Sequence, residues 1–174
     1  MVRRLGIAMG IALVLGFGPG VYERSGFHSL PPDVRADRIV ITKSARELVL
    51  YRAGVPLKAY RVALGREPVG PKQCEGDDRT PEGEYLIDSR LTESRFHRAL
   101  HLSYPQPRDI AAAAADGCSP GDSVMIHGLR DGLGFVGPLH RFRDWTAGCV
   151  AVTDREIEEI WRAVPDGTQV EIQP

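Results

Sequence analysis

Short β-branched runs recur along this 174-residue chain, and glycine or proline closes most of them within a few residues. "DRIVITK", "RELVLYR" and "VPLKAYRVALG" follow one another early. "GEYLIDS", "ALHLSYP", "SVMIHG" and "GCVAVT" come later, and "TQVEI" ends the chain. Such runs form half-buried strands, and nineteen Gly with thirteen Pro supply the turns between them. The turn at Ala53-Gly54 makes "RELVLYRAGVPLKAYRVAL" a hairpin. The expectation is a mainly β domain with a few short helices packed on it.

Two segments carry helical signals. "DIAAAAADG" offers Asp109 as an N-cap and Gly117 as a stop. The second starts at Thr153, which with Glu156 fits a capping box, in which each residue satisfies a free backbone N–H of the first turn. Ile157, Ile160, Trp161 and Val164 then fall at i, i+3, i+4 and i+7 and form one apolar face, ended by Pro165-Asp166-Gly167. A turn-rich loop from Gly65 to Thr80 separates the early strands from the later ones.

The N-terminus reads as an export signal. Arg3 and Arg4 precede an uncharged apolar run from Leu5 to Phe17, shorter than the roughly 20 residues a spanning helix needs. Residues 1–18 are read as a signal peptide, or as an uncut membrane anchor. Residues 19–36 carry Gly, Pro and Ser without apolar period and are read as a linker, leaving one domain over 37–174. That domain is expected in the periplasm or cell envelope, where disulfides persist. A formal charge of −1 supplies no basic footprint, so no nucleic-acid partner is expected.

Three cysteines make an odd count. Cys74 in "KQCEGDDRT" and Cys118 in "ADGCSPGD" both lie in loop-like segments. They either pair or remain two unrelated thiols; pairing leaves Cys149 free. Cys149 stands in "RDWTAGCVAVT", behind a small turn and ahead of a short apolar alternation. Cysteine chemistry needs a thiolate, which a neighbouring histidine generates by taking the proton. His127 closes the apolar run "SVMI", and the glycine-rich excursion after it is long enough to return Cys149 beside it. A structural histidine and a buried cysteine would give the same pattern, so the residues alone leave both readings open. His97 and His101 have the i, i+4 spacing of a zinc site, but they lack a flanking Glu and run into a strand, so no metal is expected. Arg141 and Arg143 beside Trp145 could grip a carboxylate or form a solvated face.

"IHG", then "TAGCVAV", with "RTPEGEY" well upstream, resemble the L,D-transpeptidases (YkuD-type) of bacterial cell-wall assembly, over about Asp37 to Ile172. The resemblance implies a β-sandwich or barrel. In it Cys149 is the nucleophile, His127 its base, and the Gly128 carbonyl orients the imidazole. The amides of Gly148 and Cys149 would form the oxyanion hole. Arg141, Arg143, Trp145 and Thr146 are the candidate substrate contacts. The implied reaction is acyl transfer through a thioester, from a peptidoglycan stem tetrapeptide that loses D-alanine to an amine of a second stem. It needs no metal or organic cofactor. The expected protein is a monomer that meets a membrane only through its N-terminus. Two residues depart from the family pattern: Ala147 stands where it has His, and Ala151 where it has a basic or amide residue. These bear on the substrate and on the acceptor. Water in place of the amine would make a carboxypeptidase or amidase, and an inert cysteine would make a wall-binding module.

Overall fold

The computed structural model describes residues 29–174. The predicted signal peptide or anchor and residues 19–28 of the predicted linker lie outside the described residues. Among the described residues no helix is long and apolar enough to cross a membrane.

Among the described residues eight strands form a single sheet: β1 (Arg38–Thr42), β2 (Glu47–Arg52), β3 (Val55–Arg61), β4 (Gly83–Ser94), β5 (His97–Leu102), β6 (Met125–His127), β7 (Val150–Ala151) and β8 (Gln169–Gln173). Their order is β3-β2-β1-β8-β4-β5-β6-β7. β2 and β3 are the expected hairpin, turned at Ala53 and Gly54, both at positive φ (49° and 76°). The C-terminal strand β8 sits mid-sheet, parallel to β1 and antiparallel to the first half of β4. The register of β4 shifts between Ile87 and Ser89, and beyond that point β4 pairs with β5 alone. The two ends of the sheet then meet. Past β3, Ala63 exchanges both backbone hydrogen bonds with Ala151 of β7, at 2.9 and 2.8 Å. The sheet therefore closes into a barrel. Its core is built on the inward-facing Ile39, Ile41, Leu48, Leu50 and Ile126, and α2 (Asp154–Ala163) adds Ile157 and Ile160.

Both helices form, one with a different start. α2 has the expected capping box: Thr153 Oγ1 accepts from the Glu156 N–H at 3.3 Å, and Glu156 accepts from the Thr153 N–H at 2.9 Å. α1 runs Pro107–Ala115 and is capped by Gln106 rather than Asp109. Pro107 at the first helical position sets the earlier start, and Asp109 is the third residue, accepting from the Gln106 N–H at 2.7 Å.

The stretch read as the end of a linker is packed on the domain. Leu30 lies against the core, Ala36 is buried, and the Ala36 N–H bonds to Ala163 at 2.7 Å. Leu30 donates its N–H to Glu159, and Arg162 donates to the Leu30 carbonyl at 3.2 Å. Glu159 is buried on α2, where it also accepts from Tyr60 at 3.0 Å and Lys58 at 2.5 Å. Tyr60's own burial, and then the Glu159 charge, push its hydroxyl well above the usual phenol range. Glu159→Ala removes one acceptor from three donors at once and is expected to cost about 2–3 kcal/mol. Urea unfolding measures it, and an unchanged midpoint would exclude Glu159 as the clasp for this segment.

Candidate active site

β6 and β7 set the geometry. They run parallel, with Ile126 beside Val150 and His127 beside Ala151. One step back, Cys149 stands beside Met125. Partners in a parallel ladder share a face, as do residues two apart on one strand, so Cys149 and His127 project from the same face as diagonal neighbours. Ile126 and Val150 project from the other face, into the core.

His127 is only 3% exposed. Phe96 packs on its ring, centroids 4.5 Å apart, and Trp145 meets it edge-on at 5.8 Å. Nδ1 lies 2.7 Å from the Gly128 carbonyl oxygen. A carbonyl only accepts, so Nδ1 carries the proton and Nε2 is the basic nitrogen. Burial lowers the histidine's pKa below 6.5, and the bond to Gly128 opposes this only in part. The ring is held neutral. Gly128 is fixed in turn by α2: a Cβ there would lie 2.8 Å from Asp154 Oδ1 and 3.0 Å from Ile157. Asp154 Oδ1 also accepts from the Leu129 N–H at 2.7 Å.

Cys149 is a free thiol in the described structure, half-buried, with Sγ donating to the Ser123 carbonyl at 3.5 Å. Burial pushes its pKa above 9.0, while the Met125 backbone and the charge of Lys72 pull the other way. The resting pair is therefore a thiol beside a neutral imidazole. Such a pair reacts by handing the proton over as the sulfur attacks.

The turn before Cys149 is held by Thr146. Its hydroxyl accepts from the Gly148 N–H at 3.1 Å and donates to the Cys149 carbonyl at 2.7 Å. Thr146 was expected at the substrate, but it is 4% exposed and bonded within its own turn. The same bond engages the Gly148 N–H, one of the two amides expected to receive an oxyanion. Gly148 adopts φ +129°, and a Cβ on it would sit 2.6 Å from the Arg79 carbonyl. The 65–80 loop thus lies directly over the Gly148–Cys149 peptide, a contact only glycine permits.

The other expected residues separate. Arg141 pairs with Glu156 at the start of α2 and is largely covered, so its guanidinium is taken up within the protein rather than open to a substrate. Arg143 is exposed and, with Trp145, lines a cavity of about 640 Å³ that also includes Phe96, Arg95 and Arg130. Trp145 Nε1 donates to His140 Nδ1 at 3.3 Å; burial, then the Arg141 charge, push His140 down to about 4. His97 and His101 diverge, one to Glu158 at 2.8 Å and the other to Asp88 at 2.6 Å. Cys74 and Cys118 form a disulfide, with Cα atoms 5.7 Å apart. Phe96, Asp154 and Lys72 are further parts of the site. They reach it through long-range contacts and carry no local sequence signal.

The L,D-transpeptidase catalytic-domain model (YkuD) matches residues 36–172. Over 132 residues the chain is 30% identical to YafK of Escherichia coli (strain K12), which is provisionally named an L,D-transpeptidase. The alignment covers 72% of this chain and 46% of that one, so the chain spans about half the length of this relative. A single-residue variant of the helical cell shape determining protein Pgp2 from Campylobacter jejuni has a similar structure, with a TM-score of 0.61 at 25% identity, over 80% of this chain and 47% of that one. L,D-transpeptidase 3 from Mycobacterium tuberculosis, solved with a faropenem-derived adduct, shares the fold at a TM-score of 0.53 and 14% identity, over 80% of this chain and 60% of that one.

Proposed function

Because the chain belongs to the L,D-transpeptidase (YkuD) catalytic-domain family, we propose that it is an exported cysteine acyltransferase that cross-links peptidoglycan stem peptides in the cell envelope. The observation that carries this reading is the β6–β7 register, which sets Cys149 on the face of a neutral histidine whose Nδ1–H is held by Gly128. Cys149 Sγ attacks the carbonyl that joins diaminopimelate to the terminal D-alanine of a tetrapeptide. His127 Nε2 takes the thiol proton during attack. The Cys149 amide faces the developing oxyanion, and the Thr146 clamp keeps that amide in place. Collapse of the tetrahedral adduct breaks the amide bond. The imidazolium returns its proton to the departing D-alanine nitrogen, and a thioester remains. An amine of a second stem then attacks the thioester, with His127 again taking the proton, and the thiol is regenerated. One amide replaces another, so no external energy source is needed. Arg143 and Trp145, on the cavity beside His127, contact the substrate.

Incubation of the protein with disaccharide-tetrapeptides tests the reading. The expected product is a dimer linked between two diaminopimelates, with release of one D-alanine. Tripeptide without dimer would replace the transferase by a hydrolase on the same scaffold. Absence of any product, with retained binding to isolated wall, would replace it by a binding module.

A further inference from the structure

The turn carrying Cys149 has no charge of its own, since Ala147 and Ala151 flank its glycine and cysteine. A cation nevertheless lies against it. Lys72 comes from the 65–80 loop, and its Cδ is 3.9 Å from where a Gly148 Cβ would stand. The side chain is buried, and Nζ donates to the Cys74 carbonyl at 3.0 Å and to Asp77 at 2.8 Å. Asp77 is fixed from four sides. Besides Lys72, it accepts the backbone N–H groups of Gln73 at 2.7 Å, Cys74 at 3.0 Å and Arg79 at 3.0 Å. An ammonium held this tightly beside the catalytic turn does more than close a loop.

We infer that Lys72 is a positioning residue that holds positive charge against Cys149, and so stabilises the sulfur as it becomes a thiolate. The inference rests on Cys149 being the nucleophile proposed above. The charged groups around the sulfur divide by element. β6 contributes His127, which is neutral. The 65–80 loop contributes Lys72 with its counter-ion Asp77. It also carries Asp78, already paired to Arg66 at 2.6 Å, and Arg79, whose carbonyl covers Gly148. The loop before β6 contributes the Ser123 carbonyl, which accepts from the thiol, and carries Asp122 just before it. Lys72 is thus the cation placed to favour the anion, and a lysine beside a cysteine lowers the cost of ionising it.

The test is the pH dependence of Cys149 alkylation by iodoacetamide, followed by intact mass on the full chain with its disulfide formed. Lys72→Met is expected to raise the midpoint by about one pH unit and slow alkylation at neutral pH roughly tenfold. Lys72→Arg should keep the parental midpoint. Asp77→Asn removes the counter-ion and should move the midpoint the opposite way, downward. A purely structural loop role cannot give opposite signs. An unchanged midpoint in Lys72→Met overturns the inference, as does an upward shift in both variants. If Lys72→Met fails to fold, Asp77→Asn decides: an unchanged or raised midpoint overturns the inference. Alkylation needs no wall substrate. Inactivity on tetrapeptides with the expected shifts would therefore reject the substrate assignment and leave the role of Lys72 standing.

Discussion

Cys149→Ala is expected to fold normally and to lose all turnover on tetrapeptides, together with all covalent addition of a carbapenem. Alanine removes one half-buried sulfur whose polar partners are the Ser123 carbonyl and the Met125 backbone, so little stability is at stake. It also removes the only free thiol among the described residues. His127→Gln keeps a polar side chain on the same face but lacks a titratable base, and should lower kcat/KM by roughly 10²–10⁴. The pH profile follows from the same burial. Protonation of His127 destroys the base, so activity falls on the acid side. Because burial lowers the histidine's pKa, that acid limb should lie below 6.5 rather than at it. Turnover by Cys149→Ala would end the mechanism. An acid limb above 6.5 would mean that the imidazole is not the neutral base that this mechanism requires.

How much of this was legible in the sequence depended on distance along the chain. The hairpin, α2 and most strands rest on local signals, namely alternation, turns with φ above zero and a capping box, and they formed where expected. The closure of the barrel did not announce itself. It runs through Ala63 and a β7 of only two residues, too short for any periodicity. Asp109 was misplaced within α1 because the actual cap, Gln106, is not among the usual capping residues, although Pro107 marked the first turn. That the chain returns Cys149 to the strand beside His127 was legible from the length of the glycine-rich excursion between them. What positions them was not, because Asp154 behind Gly128 and Lys72 beside Gly148 act across 26 and 76 residues (154 − 128; 148 − 72). The partners that Arg141 and Thr146 take within the protein were hidden for the same reason. Their partners, Glu156 and the backbone of Gly148 and Cys149, become visible only when the turn is folded.

Reduction of the Cys74–Cys118 disulfide is expected to destabilise the fold by about 4 kcal/mol. The bridge spans 44 residues, and the loop-closure entropy it removes from the unfolded chain amounts to that figure. For a domain of this size the melting temperature should fall by roughly 8–16 °C. Activity should fall as well, because the bridge ties together both walls of the thiol site. On one side it holds the loop whose Arg79 carbonyl and Lys72 chain press on Gly148. On the other it holds the segment that leads from α1 to Ser123, whose carbonyl accepts the Cys149 thiol. A second link, the Glu75 N–H to the Ser119 carbonyl at 2.7 Å, runs beside the bridge and limits how far the walls part. Activity should therefore drop without vanishing. The double variant Cys74→Ser with Cys118→Ser gives the same measurement without a reducing agent that could act on Cys149 adducts. A melting temperature within two or three degrees of the parent, with full activity, would mean that the two walls are held by their own packing and that the bridge is incidental to the site.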